Sequence, residues 1–186
     1  MADPRRVAIL ISGRGSNMRA LVEQADGYEV VLVASNKPQS EGLEWARRRG
    51  LPTWTHDSAG IERARFDSIL AAALDEHRVG TIALAGYMRI LTPDFIRRFE
   101  GRIVNIHPSL LPKYRGLETH SRALAAGDSV SGCTVHLVTE EVDAGEILGQ
   151  AEVAIEPSDS APSLAQRVLA AEHGLYAKIL KEFVAR

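Results

Sequence analysis

Short apolar runs alternate along this chain with amphipathic helical stretches, and this alternation constrains the possible fold more than any other feature. Strand-like runs lie at residues 7–11, 29–34, 52–55, 81–85 and 102–106. Helical patterns follow Gly15 as far as about Ala25 and cover residues 41–49 and 63–77. Strands that are joined through helices run parallel and are covered on both faces. The sequence therefore predicts an α/β fold with a doubly wound, mostly parallel sheet and helices on both faces.

The pattern changes after Gly132. Residues 133–138 and 150–156 are typical of two strands with no helix between them, which predicts a mixed or antiparallel edge on the sheet. From Leu164 to Phe183 apolar residues recur every three or four positions, which predicts a C-terminal amphipathic helix. No repeat or linker interrupts the pattern, so we expect one Rossmann-like domain over residues 1–186.

Composition and charge argue against several classes of function. A formal net charge of −2 over 186 residues argues against a general nucleic-acid binder, whose affinity depends on clustered Lys and Arg. No apolar run approaches the roughly 20 residues that span a bilayer. The first six residues lack the features of a signal peptide, and we therefore expect a cytoplasmic protein.

The single cysteine, Cys133, cannot form an internal disulfide. It lies in a strand-like run in which Cys133, Val135 and Leu137 face the same way. This favours a buried structural residue over a nucleophile. The six histidines and one cysteine show no closely spaced ligand set, so we expect no metal site.

The motif SGRGSN at residues 12–17 follows the first strand and begins a helix. Glycines allow close backbone approach, and free N–H groups at a helix N-terminus attract phosphate. A dinucleotide site is disfavoured because Met18 takes the place of the third glycine and the second strand ends in Ser35-Asn36 rather than an acidic residue. A Walker loop is excluded by the missing lysine. The motif indicates a monophosphate site, with a tight turn that binds nothing as the alternative.

The motif NIHPSLLP at residues 105–112 lies at the end of an apolar strand. Asn105 and His107 project from the same face because side chains two apart in a strand share a face, while Ile106 points into the core. Carboxyl ends of parallel strands line the ligand crevice of such sheets. An amide and a protonated imidazole at this place are suited to stabilise a carbonyl oxygen that becomes negative during a reaction.

A third motif, Asp143-Ala144-Gly145, follows the strand that carries His136. A carboxylate beside an imidazole favours the protonated ring. Spacing alone does not establish that Asp143 reaches His107, and Glu140 or Glu141 would be equally eligible.

Together these motifs resemble those of the folate-dependent formyltransferases, over residues 7–176. NIHPSLLP resembles the signature of the whole family. GRGSN at residues 13–17 and GYMRIL at residues 86–91 resemble the phosphate loop and the folate-binding loop of the branch that acts on glycinamide ribonucleotide. The resemblance implies transfer of the formyl group of 10-formyltetrahydrofolate to the amine of 5-phosphoribosylglycinamide in purine synthesis. It implies small-molecule substrates, no metal, no nucleic acid, no membrane, and a monomer or homodimer.

The resemblance also assigns residues to roles. The catalytic trio would be Asn105, His107 and Asp143. The phosphorylated substrate would be bound by Gly15, Ser16, Asn17 and Glu172. The folate would be bound by Arg63, Met88, Arg89, Ile90, Leu91 and Asn105.

The chain departs from this family's pattern at four positions. Arg115 and Glu118 replace a proline and a histidine that are usual in relatives, Ala144 replaces a glycine, and Leu169 replaces a polar residue near the phosphate. His120 and His136 have either a supporting role at the site or a structural one.

Two other classes of function remain open. One is a different acceptor or reaction: a methionyl-tRNA or sugar formyltransferase, or a formyltetrahydrofolate hydrolase. The tRNA enzyme carries a further C-terminal domain and the hydrolase a further N-terminal one, so a chain of this length disfavours both. The other is a folate- or nucleotide-binding module without catalysis, which the intact trio disfavours.

Overall fold

The computed structural model describes residues 2–186, which form seven strands and six helices. The strands are β1 (Arg6–Ile11), β2 (Glu29–Ser35), β3 (Thr53–Thr55), β4 (Thr81–Leu84), β5 (Ile103–His107), β6 (Val130–Leu137) and β7 (Ile147–Ala154). The helices are α1 (Ser16–Glu23), α2 (Glu41–Arg48), α3 (Arg63–Glu76), α4 (Pro93–Arg98), α5 (Thr119–Ala125) and α6 (Ala161–Val184).

All seven strands form one sheet in the order β3-β2-β1-β4-β5-β6-β7. The first five strands pair in parallel, and β6 and β7 are added antiparallel at one edge. Both expectations about strand direction are confirmed. The carboxyl ends of β1, β4 and β5 lie side by side at the centre of the sheet, which is where a ligand crevice is expected in such folds.

The core consists of two clusters of buried apolar residues, one on each face of the sheet. Helices α1, α2 and α6 supply Met18, Leu43 and Leu180, among others, to the first cluster. Helices α3 and α4 supply Phe66 and Phe95, among others, to the second. Helices therefore cover both faces, as the sequence predicts.

Helix α6 is the longest and reaches the centre of the sheet. Its buried Tyr176 places its hydroxyl 3.0 Å from the carbonyl oxygen of Leu84 and 3.1 Å from that of Val104. These carbonyls belong to β4 and β5, so the helix ties together the two strands whose ends carry the candidate site. None of the helices in residues 2–186 has both the length and the apolar character of a membrane span.

The structure differs from the sequence expectation mainly between β5 and β7. Helix α5 is not apparent in the sequence pattern, because its N-cap residue, Glu118, is left-handed (φ 58°) and accepts no side-chain capping bond. Strand β6 begins at Val130, three residues before the expected start, and β7 covers Ile147–Ala154 rather than 150–156.

Candidate active site

Asn105 and His107 lie side by side at the carboxyl end of β5. The residues that alternate with them, Val104 and Ile106, are buried in the first core cluster. In the antiparallel neighbour β6, His136 is paired with Asn105 and Thr134 is paired with His107. The strand register therefore brings a second imidazole next to the Asn105 amide, a contact that linear spacing cannot reveal.

Asp143 is the carboxylate that faces these imidazoles. One of its oxygens lies 3.3 Å from Nδ1 of His107 and the other lies 3.5 Å from Nε2 of His136. The backbone is left-handed at Asp143 (φ 51°). Burial acts to raise the pKa of Asp143, but the imidazole of His136, the N–H of Gly116 and the imidazole of His107 outweigh it, and the pKa is lowered. The carboxyl group is therefore ionised at neutral pH.

The two other carboxylates that the sequence leaves eligible point elsewhere. Glu140 lies 2.5 Å from Arg97, and Glu141 lies 2.6 Å from Arg115. Both acidic side chains are largely exposed. Of the three carboxylates, only Asp143 thus lies beside the imidazoles. The ion pair of Arg115 with Glu141 connects two loops beside the site.

A loop over residues 113–118 covers one side of His107 and Asp143. Nε2 of His107 lies 2.9 Å from the carbonyl oxygen of Tyr114, and the N–H of Gly116 donates to Asp143 at 2.9 Å. A carbonyl oxygen only accepts, so Nε2 of His107 carries a hydrogen. Tyr114, Gly116 and Glu118 all have positive φ. The sequence gives no signal for these backbone contacts beyond the presence of Gly116.

Thr134 fixes the chain that follows His107. Its hydroxyl donates to the carbonyl of Ser109 at 2.7 Å and accepts from the N–H of Leu111 at 3.0 Å and the side-chain amide of Gln150 at 2.9 Å. Thr134 is completely buried. Because this hydroxyl has three partners, it determines where the backbone leaves β5.

The trio faces a cavity of about 640 Å³ with mainly apolar walls. Three of its wall residues, Met88, Leu117 and Val142, expose 71%, 78% and 53% of their surface, which is unusual for apolar side chains. The expected folate residues Met88, Arg89, Ile90, Leu91 and Asn105 all lie in this wall. Arg63, exposed at the start of α3, does not.

A second, smaller cavity of about 260 Å³ lies at the glycine loop and shares Met88 with the first. Gly15, Ser16 and Asn17 line it. Gly15 is the N-cap of α1 with φ 72°, and no side chain caps the helix. The first N–H groups of α1 are thus free for an anion.

Asn17 is linked to the C-terminal helix. Its amide donates to Oε2 of Glu172 at 2.7 Å, and both side chains are buried. Burial raises the pKa of Glu172, and the hydrogen bond from Asn17 only partly offsets this effect. The two expected substrate-binding residues therefore contact each other across α1 and α6, while Leu169 on α6 is half-buried and offers no polar group.

Ser12 connects the glycine loop with the wall of the larger cavity. Its hydroxyl donates to Oδ1 of Asn36 at 2.6 Å and accepts from the backbone N–H of Met88 at 2.8 Å. Asn36 stands near the place where dinucleotide-binding folds carry an acidic residue. Here that side chain is turned inward to hold Ser12.

The remaining sequence expectations concern groups around the site. Cys133 is completely buried, as the strand pattern predicts, and burial together with the charge of Glu172 raises the pKa of its thiol to about 12. His120 is half-buried near His107, and burial lowers its pKa. Ala144 is half-buried beside Asp143. Within residues 2–186 no three His, Cys, Asp or Glu side chains are grouped so that they could hold a metal ion.

The fold and this arrangement define a class of protein. A model of the family described as formyl transferase matches residues 5–180. The chain belongs to the formyl transferase family.

Individual relatives indicate the branch. The chain is 40% identical over 182 residues to phosphoribosylglycinamide formyltransferase of Escherichia coli, covering 95% of this chain and 86% of that protein. The crystal structure of phosphoribosylglycinamide formyltransferase from Brucella melitensis superimposes with a TM-score of 0.92 at 48% identity, covering 97% of this chain and 96% of that one. The chain is also 47% identical over 187 residues to the trifunctional purine biosynthetic protein adenosine-3 of Drosophila melanogaster, covering 97% of this chain and only 14% of that protein.

Proposed function

We propose that this protein transfers the formyl group of 10-formyltetrahydrofolate to the amine of 5-phosphoribosylglycinamide, which yields formylglycinamide ribonucleotide in purine synthesis. One observation carries the proposal. Asn105, His107 and Asp143 face the larger cavity, and that cavity shares Met88 with the cavity at the glycine loop. A formyl donor and a phosphorylated acceptor bound in adjacent cavities would meet beside the trio.

The larger cavity fits the formyl donor. Its apolar wall and exposed apolar rim suit the flat rings of a reduced folate, and the loop Met88–Leu91 offers backbone groups as well as side chains. The donor supplies a formyl carbon bound to nitrogen. Arg63 lies outside the cavity wall and would contact the acidic tail of the folate.

The smaller cavity fits the phosphorylated acceptor. The uncapped N-terminus of α1 at Gly15, Ser16 and Asn17 would bind the phosphate. Glu172 would accept hydrogen bonds from the ribose hydroxyls, because its carboxylate is buried with only one partner.

The acceptor amine then attacks the formyl carbon, and the formyl oxygen gains negative charge. The side-chain amide of Asn105 and protonated His107 donate to this oxygen, and a positioned donor of this kind is worth roughly 10²–10³ in rate. The oxygen replaces the carbonyl of Tyr114 as the acceptor for Nε2–H of His107. Asp143 pairs with the imidazolium. The new N–C bond forms, the old one breaks, and the proton of the attacking amine is moved to the departing nitrogen. Much of the remaining acceleration comes from holding two substrates in line.

The test is formyl transfer by the purified protein with 10-formyltetrahydrofolate and glycinamide ribonucleotide, followed by the folate absorbance. Parallel reactions omit the amine, replace it with an amino sugar nucleotide, or offer methionyl-tRNA. We expect turnover with glycinamide ribonucleotide as the acceptor and with none of the alternative acceptors. Turnover without any amine would identify a hydrolase, and turnover with another amine would identify another branch of the family. Folded protein that binds folate without turnover would be a binding module.

A further inference from the structure

His136 is a buried polar group in the wall of the larger cavity, and the proposed reaction gives it no role. It lies on β6 opposite Asn105, and only 2% of its surface is exposed. Nδ1 of its ring lies 2.7 Å from the carbonyl oxygen of Leu137. Because a carbonyl oxygen only accepts, Nδ1 carries a hydrogen. This contact fixes both the ring orientation and the tautomer of the neutral ring.

The other ring nitrogen of His136 faces the amide of Asn105. Nε2 lies 3.2 Å from Nδ2 of Asn105 in hydrogen-bonding geometry and 3.5 Å from the nearer oxygen of Asp143. The side-chain amide of Asn105 is therefore the nearer group and makes the hydrogen bond with Nε2, whereas Asp143 acts on the ring only through its charge. An imidazole with hydrogen on Nδ1 has a lone pair on Nε2, which accepts one of the two amide hydrogens of Asn105.

This contact selects one of the two orientations of the Asn105 amide. If the amide were rotated by 180°, its oxygen would face the lone pair of His136, and two acceptors would oppose each other. With the NH₂ group held toward His136, the second N–H of the same group remains free. In the rotated form the amide would present an oxygen to any oxygen that gains negative charge, which is repulsive.

We propose that His136 is a positioning residue that holds the Asn105 amide with its NH₂ group directed into the cavity, through the lone pair on Nε2. This inference rests on the proposed function, since it assigns Asn105 the role of donor to the formyl oxygen. His136 does not touch the reacting atoms and acts only through Asn105.

Two isosteric substitutions separate the two ring nitrogens. In His136→Gln the side-chain oxygen can take the place of Nε2 and accept from Asn105. In His136→Asn the amide can keep the contact with Leu137 but offers no acceptor to Asn105. We expect His136→Gln to retain kcat within about threefold. We expect His136→Asn to lose roughly 10- to 100-fold in kcat, somewhat less than the 10²–10³ of a whole donor. KM for both substrates should change by less than about threefold, since the effect arises in the transition state.

A double-mutant cycle with Asn105→Ala shows whether His136 acts through Asn105. If it does, His136→Asn causes no further loss of kcat in the Asn105→Ala background. Equal losses in both backgrounds would contradict the proposal and would indicate that His136 acts through Asp143 or through folding. His77→Asn is the matched control, because His77 caps α3 at the amino edge of the sheet, away from the site.

A spectroscopic readout does not depend on turnover. The side-chain ¹⁵N–¹H₂ signals of Asn105, assigned by their loss in Asn105→Ala, should be displaced from those of a free amide in the wild type and in His136→Gln. They should move toward the free-amide position in His136→Asn, while circular dichroism stays unchanged. Identical Asn105 signals in all three proteins would overturn the proposal. If the wild type shows no formyl transfer, the proposed function fails, and these signals still decide whether His136 positions Asn105.

Discussion

An oxygen of Asp143 lies 3.3 Å from Nδ1 of His107, and both side chains are nearly inaccessible to solvent. The ionised carboxylate of Asp143 supplies a counter-charge at the place where a protonated His107 ring would need one. It also orients the ring so that Nε2 lies 2.9 Å from the carbonyl oxygen of Tyr114.

Asp143→Asn should therefore lower kcat by about 10²-fold or more, the lower end of what a positioned acid–base group contributes. KM for the two substrates should change little. Glu141→Gln is the matched control, because Glu141 lies in the same loop but pairs with Arg115 and is not part of the cavity wall. An equal loss of turnover in Glu141→Gln would show that the role of Asp143 is assigned wrongly.

Gly15→Ala should weaken binding of the phosphorylated acceptor. A Cβ at Gly15 would lie 2.8 Å from Cε of Met18 and 3.1 Å from Cα of Gly42, at a φ of +72°. A left-handed conformation costs a non-glycine residue roughly 1–2 kcal/mol. We expect the free loop to relieve this strain by leaving its binding conformation, so that the phosphate must restore it, which corresponds to about a tenfold rise in KM for the acceptor. Gly101→Ala, with a φ of +69° and no atom within 4 Å of the added methyl, controls for the backbone strain. Equal rises in KM for acceptor and folate would contradict the phosphate-loop assignment.

Ser12→Ala should weaken binding of the formyl donor. The substitution removes the acceptor for the partly buried N–H of Met88, a hydrogen bond worth roughly 0.5–1.5 kcal/mol that holds the folate-binding loop in place. Because binding of the donor must then restore the loop position, we expect KM for 10-formyltetrahydrofolate to rise by roughly 2- to 10-fold. Ser68→Ala, on the exposed side of α3, should leave KM unchanged. A change confined to KM for the acceptor would show that Ser12 serves the glycine loop alone.

Glu172→Gln should raise the stability of the protein in a pH-dependent manner and weaken its binding of the acceptor. Burial raises the pKa of Glu172 above its unfolded value of 4.5. Between the two pKa values the folded protein binds more protons than the unfolded chain, so stability falls as the pH rises, and above both the ionised carboxylate is a constant cost. The variant should unfold at a higher temperature than the wild type at about pH 8. This difference should shrink as the pH is lowered toward about 4, where both side chains are neutral. KM for the acceptor should rise in Glu172→Gln at the same time. A gain in unfolding temperature that is independent of pH would contradict the prediction and would indicate a packing effect.

Thr134→Val should destabilise the protein although the two side chains have the same shape. The N–H of Leu111 and the amide of Gln150 lose their shared acceptor, and the first of these is buried. The expected cost is roughly 1–3 kcal/mol, or about 2–4 °C in Tm for each kcal/mol. Thr134→Ser, which keeps the hydroxyl, should restore most of the loss. If the serine variant were as unstable as the valine variant, the methyl group would be the important part.

Much of the fold can be predicted from the sequence because the elements are punctuated by local signals. Apolar runs mark β1 to β5, and Thr92 followed by Pro93 marks the start of α4, where the structure shows the capping bond from the N–H of Phe95. Helix α5 has no such signal, since left-handed Glu118 stands at its start. Local patterns thus predict a helix only where a recognisable capping residue or proline stands at its start.

The site is predicted in part for a related reason. Asn105 and His107 are neighbours through the two-residue period of a strand, so spacing alone places them together. The proximity of Asp143 depends on a left-handed turn, and that of His136 depends on the antiparallel register between β5 and β6. Neither is encoded by spacing. Arg63 remains an expectation from the resemblance, because the cavity wall does not include it.

Helix α6 carries Glu172 and Tyr176 one turn apart, the first facing Asn17 and the second tying β4 to β5. Anyone who engineers this protein to accept a different amine would naturally randomise the surroundings of Glu172. Such a library would also disturb the hydroxyl that holds the central strands, so many of its members would be lost as unfolded protein before their selectivity could be measured. Diversity placed at residues 13 and 14, the exposed part of the glycine loop that precedes Asn17 and its contact with Glu172, would separate changes in acceptor choice from changes in folding yield.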